Sequence, residues 1–162
     1  MLITIIGESC VGKSTIANKI TQFAEFKVFT GKDYLRLAKN QFDAEKQFIN
    51  LLNDSVINQN VIFVIAEKEH LSFLPVGAIR VLVTAPLETI KERFAKRMGG
   101  NLPLPVAKML ENKHGIFNDT PHDFLITEQS ENLEELIPKY YPLKNRLCHT
   151  SWLIKRTLST AQ

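Results

Sequence analysis

Cysteine is nearly absent from the 162-residue sequence, which has only Cys10 and Cys148. Two cysteines cannot build a disulfide framework, and with no Cys or His at metal-ligand spacing they make no zinc site, so both are expected as reduced thiols. Long apolar runs are missing too. Residues 2–6, interrupted by Thr4, and 61–66 are the longest, far short of the roughly 20 residues a membrane helix needs. The start of the chain lacks a basic stretch and meets Gly7 and Glu8 after one short apolar run, unlike a signal peptide. A cytoplasmic protein with no membrane partner is expected. Internal repeats, low-complexity tracts and linkers are also absent. What is there is globular in composition, 44% apolar and 23% charged, and of a size for one domain over residues 1–162.

Net charge is small, +3 from 20 basic and 17 acidic residues, but unevenly spread. Residues 117–138 hold six acids and no Lys or Arg, while the tail, 139–162, holds five basic residues and no acid. No dense basic run accompanies this, so the tail is expected to balance the acidic segment, and no nucleic-acid partner is expected.

Period and punctuation alternate strand with helix. Strands are expected at 2–6, 26–30, 61–66, 80–84 and 124–127. Helices are expected at 13–24, with Ile16, Ile20 and Phe23 on one face, and at 33–39 and 44–53, the latter turning Phe48, Leu51 and Leu52 inward. Pro86 opens another helix to about Met98, with Leu87, Ile90 and Phe94 inward, and Gly99 and Gly100 stop it. Residues 101–119 read as an excursion carrying a short helix, and further helices are expected at 131–137 and around 152–158. Strands separated by helices imply βαβ units, hence one three-layer α/β/α domain on a five-stranded parallel sheet.

The strongest motif is Gly7-Glu8-Ser9-Cys10-Val11-Gly12-Lys13-Ser14-Thr15, a G-x-x-x-x-G-K-[ST] phosphate loop between an expected strand and an expected helix. Gly7 and Gly12 permit backbone conformations that turn successive N–H groups toward one centre, and the helix N-terminus adds partial positive charge. Lys13 can then reach the β and γ phosphates of a bound polyphosphate, and the Ser14 hydroxyl can ligate Mg²⁺. Cys10 lies where backbone dipoles favour a thiolate, which leaves oxidative sensitivity open beside the plainer role of a tolerated loop residue. A GTPase is disfavoured. Asn112-Lys113-His114-Gly115 fails the N-K-x-D pattern at its acidic position, and no D-x-x-G segment follows the loop.

After the second strand, GKDYLRLAK, residues 31–39, resembles the G-D-x-x-R-x-x-A segment of nucleoside monophosphate kinases, cytidylate kinases especially. The phosphate loop, this segment and APLETIKERFAKR, residues 85–97, keep that family's order and spacing, and the resemblance extends over most of residues 1–138. It implies a P-loop kinase fold, ATP as donor, Mg²⁺ as cofactor, Asp33 near the acceptor's hydroxyl or phosphate, and Arg36 as a clamp on an anionic acceptor. Read without the family, Asp33 and Arg36 at i, i+3 can simply pair with each other.

Arg93 and Arg97, four apart on one helix, have no acid at i±3 or i±4, so an anion off the helix should relieve their repulsion. In the resembling kinases, arginines here meet nucleotide phosphates as a lid closes. Glu92 and Lys96 are placed to pair with each other. Residues 101–119 are the expected lid, but they offer Lys108, Lys113 and His114 where such lids usually supply arginines, and the chain has only six arginines. Lysine binds phosphate without a bidentate fork. His114 is open between phosphate donor and surface residue, and His122 is expected on the surface. Glu67, just beyond the third strand, is a candidate to hold a metal-bound water or an acceptor hydroxyl, or is a solvated carboxylate. Residues 127–130 fall where the resemblance implies an adenine-contacting loop.

The catalytic candidates are therefore Lys13, Asp33, Arg93 and Arg97, with residues 7–15 for ATP, Ser14 for the metal, and Asp33, Arg36 and Glu67 for the acceptor. The expected activity is transfer of the γ-phosphoryl group to a small molecule, first a nucleotide or nucleoside. A non-nucleotide alcohol, as in shikimate or gluconate kinases, and a nucleotide-binding regulatory module without turnover are the alternatives.

Overall fold

The computed structural model describes residues 1–128. The chain divides into two units, Met1–Glu131 and Asn132–Gln162, and the second lies wholly outside the described residues. The expected helices at 131–137 and 152–158, the tail at 139–162 and Cys148 fall there as well.

Five parallel strands form one sheet in the order β2-β3-β1-β4-β5: β1 (Leu2–Ile6), β2 (Lys27–Thr30), β3 (Val61–Ile65), β4 (Ile79–Val83) and β5 (Phe124–Ile126). Every residue of β1 and β3 is buried. Strands buried on both faces read as continuous Val/Ile runs rather than alternations, which is why these two stood out in the sequence. The buried hydroxyl of Thr4 donates to the Ile79 carbonyl at 3.1 Å, so β1 tolerates its one polar side chain. The edge strands β2 and β5 are short and partly exposed.

Four helices connect them: α1 (Lys13–Thr21), α2 (Gln41–Ser55), α3 (Leu87–Arg97) and α4 (Leu104–Lys113). α1 packs on β1 and β3, and α4 packs on α3. Differences from the sequence expectation are local and have visible causes. α1 ends at Thr21, where the N–H groups of Gln22 and Phe23 bond carbonyls three residues back, and Phe23 is exposed rather than inward. α2 begins three residues early because the Asn40 side chain caps it, accepting from the Asp43 N–H at 2.8 Å. Residues 33–39 are not α-helical. Asp33–Leu37 is a 3₁₀ turn, and a second such turn, Lys68–Phe73, follows β3 where no element was expected.

Beside the sheet, Phe48 of α2 is fully buried among aromatic rings, tilted on Phe29 at 5.0 Å, edge-on to Phe63 at 4.9 Å and stacked on Tyr34 at 5.2 Å. The same core takes in Phe117, also fully buried, so the 101–119 excursion is anchored at its far end. Because Phe48 joins the turn after β2 to the sheet, Phe48→Ala should destabilise the fold by about 3–5 kcal/mol. A denaturant titration showing a loss under about 1 kcal/mol would mean the cluster collapses to fill the cavity.

Candidate phosphate-binding and acceptor site

The carboxyl ends of the central strands lie level. The Gly7 N–H donates to the Ile65 carbonyl at 3.2 Å, and the Gly31 N–H to the Val64 carbonyl at 3.4 Å. The loops after β1, β2 and β3 therefore open at one end of the sheet, and the chain reverses its direction of travel across the sheet between β1 and β3. That is where open α/β sheets bind ligands.

The loop after β1 has the conformation its sequence calls for. A Cβ on Gly7 would meet the Val83 carbonyl oxygen at 2.3 Å, so only glycine lets β1 pass this close to the end of β4. Gly12, at φ 110°, is the N-cap of α1 and offers no side-chain acceptor to the N–H groups of the first turn, which contains no acid. Those uncapped donors and the open space at Gly12, where an added Cβ would come no nearer to another side chain than 4.0 Å from the Arg93 guanidinium, form a cradle that fits phosphate oxygens. Cys10 holds φ 66°, a left-handed conformation costly for a non-glycine residue. Its thiol is buried, so the oxidative role left open for it has no exposed sulfur to act through. Val11 is buried beneath the loop, and Ser9, Ser14 and Thr15 are exposed at it.

Lys13 is 8% exposed. Its ammonium donates to the Gly7 carbonyl at 2.7 Å and to the Glu8 carbonyl. Burial lowers its pKa to about 8, partly opposed by Cys10 and Glu8 and reinforced by the Arg97 charge. Arg97 therefore projects its field onto Lys13, and among the described residues it has no carboxylate partner. Arg93 donates to the Cys10 carbonyl at 3.2 Å and pairs with Glu128 at 2.8 Å. Glu128, just past β5, is the anion off the helix that the arginine pair lacked in sequence, and it also accepts from the Thr89 hydroxyl at 3.3 Å. Only its place in the 127–130 segment could have signalled it. Gln129 and Ser130 of that segment lie outside the described residues.

Glu8 turns the other way. Its carboxylate accepts the Gly115 N–H at 2.5 Å and lies 3.1 Å from His114 Nδ1, so the phosphate loop is tied to the end of the excursion. Lys91 bridges Glu88 at 3.4 Å and Glu111 of α4 at 2.8 Å, a second tie between α3 and that segment. Glu92 and Lys96 form no ion pair with each other among the described residues. Lys108 and Lys113 are exposed, and His122 is at the surface beside the Thr120 carbonyl.

On the β2 side, the Asp33 carboxylate accepts the Thr30 N–H at 3.0 Å and the Thr30 hydroxyl at 2.6 Å, and lies 3.7 Å from Arg36. The Thr30 hydroxyl first, then its N–H, lower the Asp33 pKa. Asp33 thus remains an anion and holds its own turn. Arg36 is 86% exposed, and no hydrogen bond or ion pair among the described residues joins it or Asp33 to the phosphate loop. Glu67 stands at the head of the turn after β3 with its carboxylate half-exposed, 3.9 Å from the buried His70. No group of three or more His, Cys, Asp or Glu that could hold a metal exists among the described residues. Ser14, the metal candidate, is exposed at the first turn of α1, where it offers a single hydroxyl oxygen. No helix among the described residues is long and apolar enough to cross a membrane.

No protein-family model matches the sequence, and no curated protein matches it significantly. Solved structures do match in fold. A sugar kinase from Janibacter sp. superimposes with a TM-score of 0.53 at 15% identity, covering 85% of this chain and 90% of its own. A gluconokinase from Sinorhizobium meliloti gives 0.52 at 12% identity, covering 99% and 97%. A deoxyadenosine kinase from M. mycoides, solved with dATP, gives 0.50 at 18% identity, covering 86% and 98%. The chain has the three-layer α/β fold of the P-loop small-molecule kinases.

Two outcomes follow from the loop's geometry. A polyphosphate seated in the cradle favours charged Lys13 and raises its pKa, so binding should take up protons, about half a proton at pH 8 where the free lysine is half-ionised. Calorimetry of nucleoside triphosphate binding in buffers of different ionisation enthalpy reads this directly, and the same uptake in Lys13→Met would assign it elsewhere. Glu8→Ala should speed amide exchange at Gly115 by roughly tenfold or more while leaving β3 unchanged. Unaltered exchange would mean that burial of Phe117 alone holds the segment.

Proposed function

We propose that the chain is an ATP-dependent phosphotransferase that moves the γ-phosphoryl group to a hydroxyl or phosphate oxygen of a small molecule in the cytoplasm, with a nucleotide or nucleoside as the acceptor class. The observation that carries this reading is the uncapped N-terminus of α1 behind Gly7 and Gly12, with the Lys13 ammonium buried in the same loop. Backbone N–H groups there would hold the β and γ phosphates, and Lys13 would move from the Gly7 and Glu8 carbonyls onto phosphate oxygens. Mg²⁺ on the Ser14 hydroxyl would neutralise phosphate charge. Arg97, without a carboxylate partner among the described residues, and Arg93, released from or shared with Glu128, would take the charge that spreads over the equatorial oxygens in the transition state.

Asp33, Arg36 and Glu67 line the acceptor side. Asp33, held by Thr30, would orient or deprotonate the acceptor, and Glu67, half-exposed, would hold an acceptor hydroxyl or a metal-bound water. Arg36 would meet an anionic acceptor. A second reading, transfer to a non-nucleotide alcohol, is favoured by one observation: the 101–119 segment carries no arginine to grip an acceptor phosphate.

Comparing Lys13→Ala with Asp33→Asn tests the assignment. Lys13→Ala should weaken ATP binding and lower turnover. Asp33→Asn should leave ATP affinity nearly unchanged while cutting transfer by roughly 10²–10⁴. Both are read from ATP-induced thermal shifts and from ADP release with nucleosides, nucleoside monophosphates and polyols as acceptors. Full turnover in Asp33→Asn would reduce Asp33 to the local partner of Thr30 and Arg36. Thermal stabilisation by ATP with no ADP release for any acceptor would make the chain a nucleotide-binding regulatory module.

A further inference from the structure

His70 is 3% exposed in the turn after β3, enclosed by aromatic rings. Tyr34 meets it edge-on at 5.7 Å, and Phe73 at 5.5 Å and Phe63 at 5.9 Å are tilted against it. Its Nδ1 is buried with no hydrogen-bond partner among the described residues. Phenylalanine or leucine could fill such a cavity without stranding a polar atom, so packing alone does not account for an imidazole here. Its other nitrogen, Nε2, faces one group, the Glu67 carboxylate at 3.9 Å, with Glu67 itself 53% exposed. Tyr34, on the acceptor-side turn that contains Asp33 and Arg36, feels the same carboxylate. Burial first, then Glu45 and Glu67, raise its pKa. The Tyr34–His70 contact thus joins the turns after β2 and β3 into one wall, and Glu67 stands at its head.

We propose that His70 is a positioning residue for Glu67. Nδ1 makes no hydrogen bond among the described residues, and an Nε2 lone pair would repel the carboxylate. The neutral ring therefore carries its proton on Nε2 and donates toward Glu67. At 3.9 Å the contact is longer than a hydrogen bond, and rotation of the half-exposed Glu67 side chain closes it. One carboxylate oxygen is then held by His70, and the other is left to take the acceptor's hydroxyl beside the phosphate loop. The inference rests on the phosphotransferase reading and adds a residue to it.

Long-range proton–nitrogen spectra of the ¹⁵N-labelled full-length protein test the contact without any turnover. An Nε2–H tautomer for His70, with its Nε2 resonance moving in Glu67→Gln, is expected. An Nδ1–H tautomer, or a resonance that ignores Glu67→Gln, overturns the proposal whether or not the protein is a kinase. Kinetics then separate positioning from packing. His70→Phe should keep the melting temperature and the ATP-induced thermal shift, and lower transfer at least tenfold. His70→Phe combined with Glu67→Gln should be no slower than Glu67→Gln alone. Unchanged turnover in His70→Phe, or losses that multiply in the double variant, would make His70 a core residue. If His70→Phe does not fold, His70→Gln, whose amide keeps an N–H donor, replaces it and should retain more activity than His70→Leu. Equal activity in those two overturns the proposal. Absence of ADP release from the wild-type protein with any acceptor would sink the kinase reading and leave the spectra to decide the His70–Glu67 contact.

Discussion

The Lys13 ammonium, held against the Gly7 and Glu8 carbonyls inside its own loop, sets the conditions under which the rest of the site must work. A cation this buried loses hydration, which Cys10 and Glu8 offset only in part, so its pKa falls to about 8. Arg97 pushes in the same direction and Arg93 stands over the same loop. Three cations and an uncapped helix terminus converge on a volume with little compensating negative charge. Such an arrangement is unfavourable empty and relieved by a polyanion. Ligand affinity and ligand-free strain are thus two consequences of one charge distribution.

The carboxylates around that volume show how the fold limits the strain. Glu8 points away from the cradle into the Gly115 N–H, Glu128 holds one arm of Arg93, and Asp33 is spent on Thr30. Each is tied to backbone or to a side chain at the rim, so none fills the space beside the α1 N-terminus. The Glu8 tie has a further effect. It fastens the end of the 101–119 segment to the phosphate loop, and Phe117 fixes the segment's far end in the core. Any movement of the segment over phosphates must therefore hinge between the Gly99-Gly100 entrance and Gly115, a shorter piece than the sequence suggested.

Legibility in the sequence followed the range of the interactions involved. β1, the phosphate loop and α1 could be read because strand burial, glycine backbone geometry and helix dipole all act within fifteen residues, and the order of strands and helices follows from the same periodicities. The 3₁₀ turn at Asp33 was missed because a side chain, not a propensity, closes it: the Asp33 carboxylate takes up Thr30 before a helix can form. Glu128 with Arg93 and Glu8 with Gly115 join residues 35 and 107 positions apart, and no local pattern encodes such pairs. His70 was visible as a letter but not as a buried group, since its environment is made by Tyr34 and Phe63, which belong to other elements.

The acceptor side differs in kind from the donor side. Around the phosphate loop, charge is concentrated and held by backbone geometry that tolerates almost no substitution, as the 2.3 Å approach to Val83 at Gly7 shows. Across β3, the wall is aromatic, and its polar groups are a carboxylate committed to its own turn, a half-exposed carboxylate and an arginine at the surface. On the proposed phosphotransferase reading, a site built this way would fix where the phosphoryl group leaves more tightly than where it goes. Because Tyr34 and His70 are themselves buried, the surface the turns after β2 and β3 would offer an acceptor on that reading is set by Glu67 and Arg36, and selection would turn on which hydroxyl reaches Glu67 rather than on a dense grip on a second phosphate. Discrimination among acceptors would rest on shape and on one or two hydrogen bonds, terms worth about 1–3 kcal/mol each.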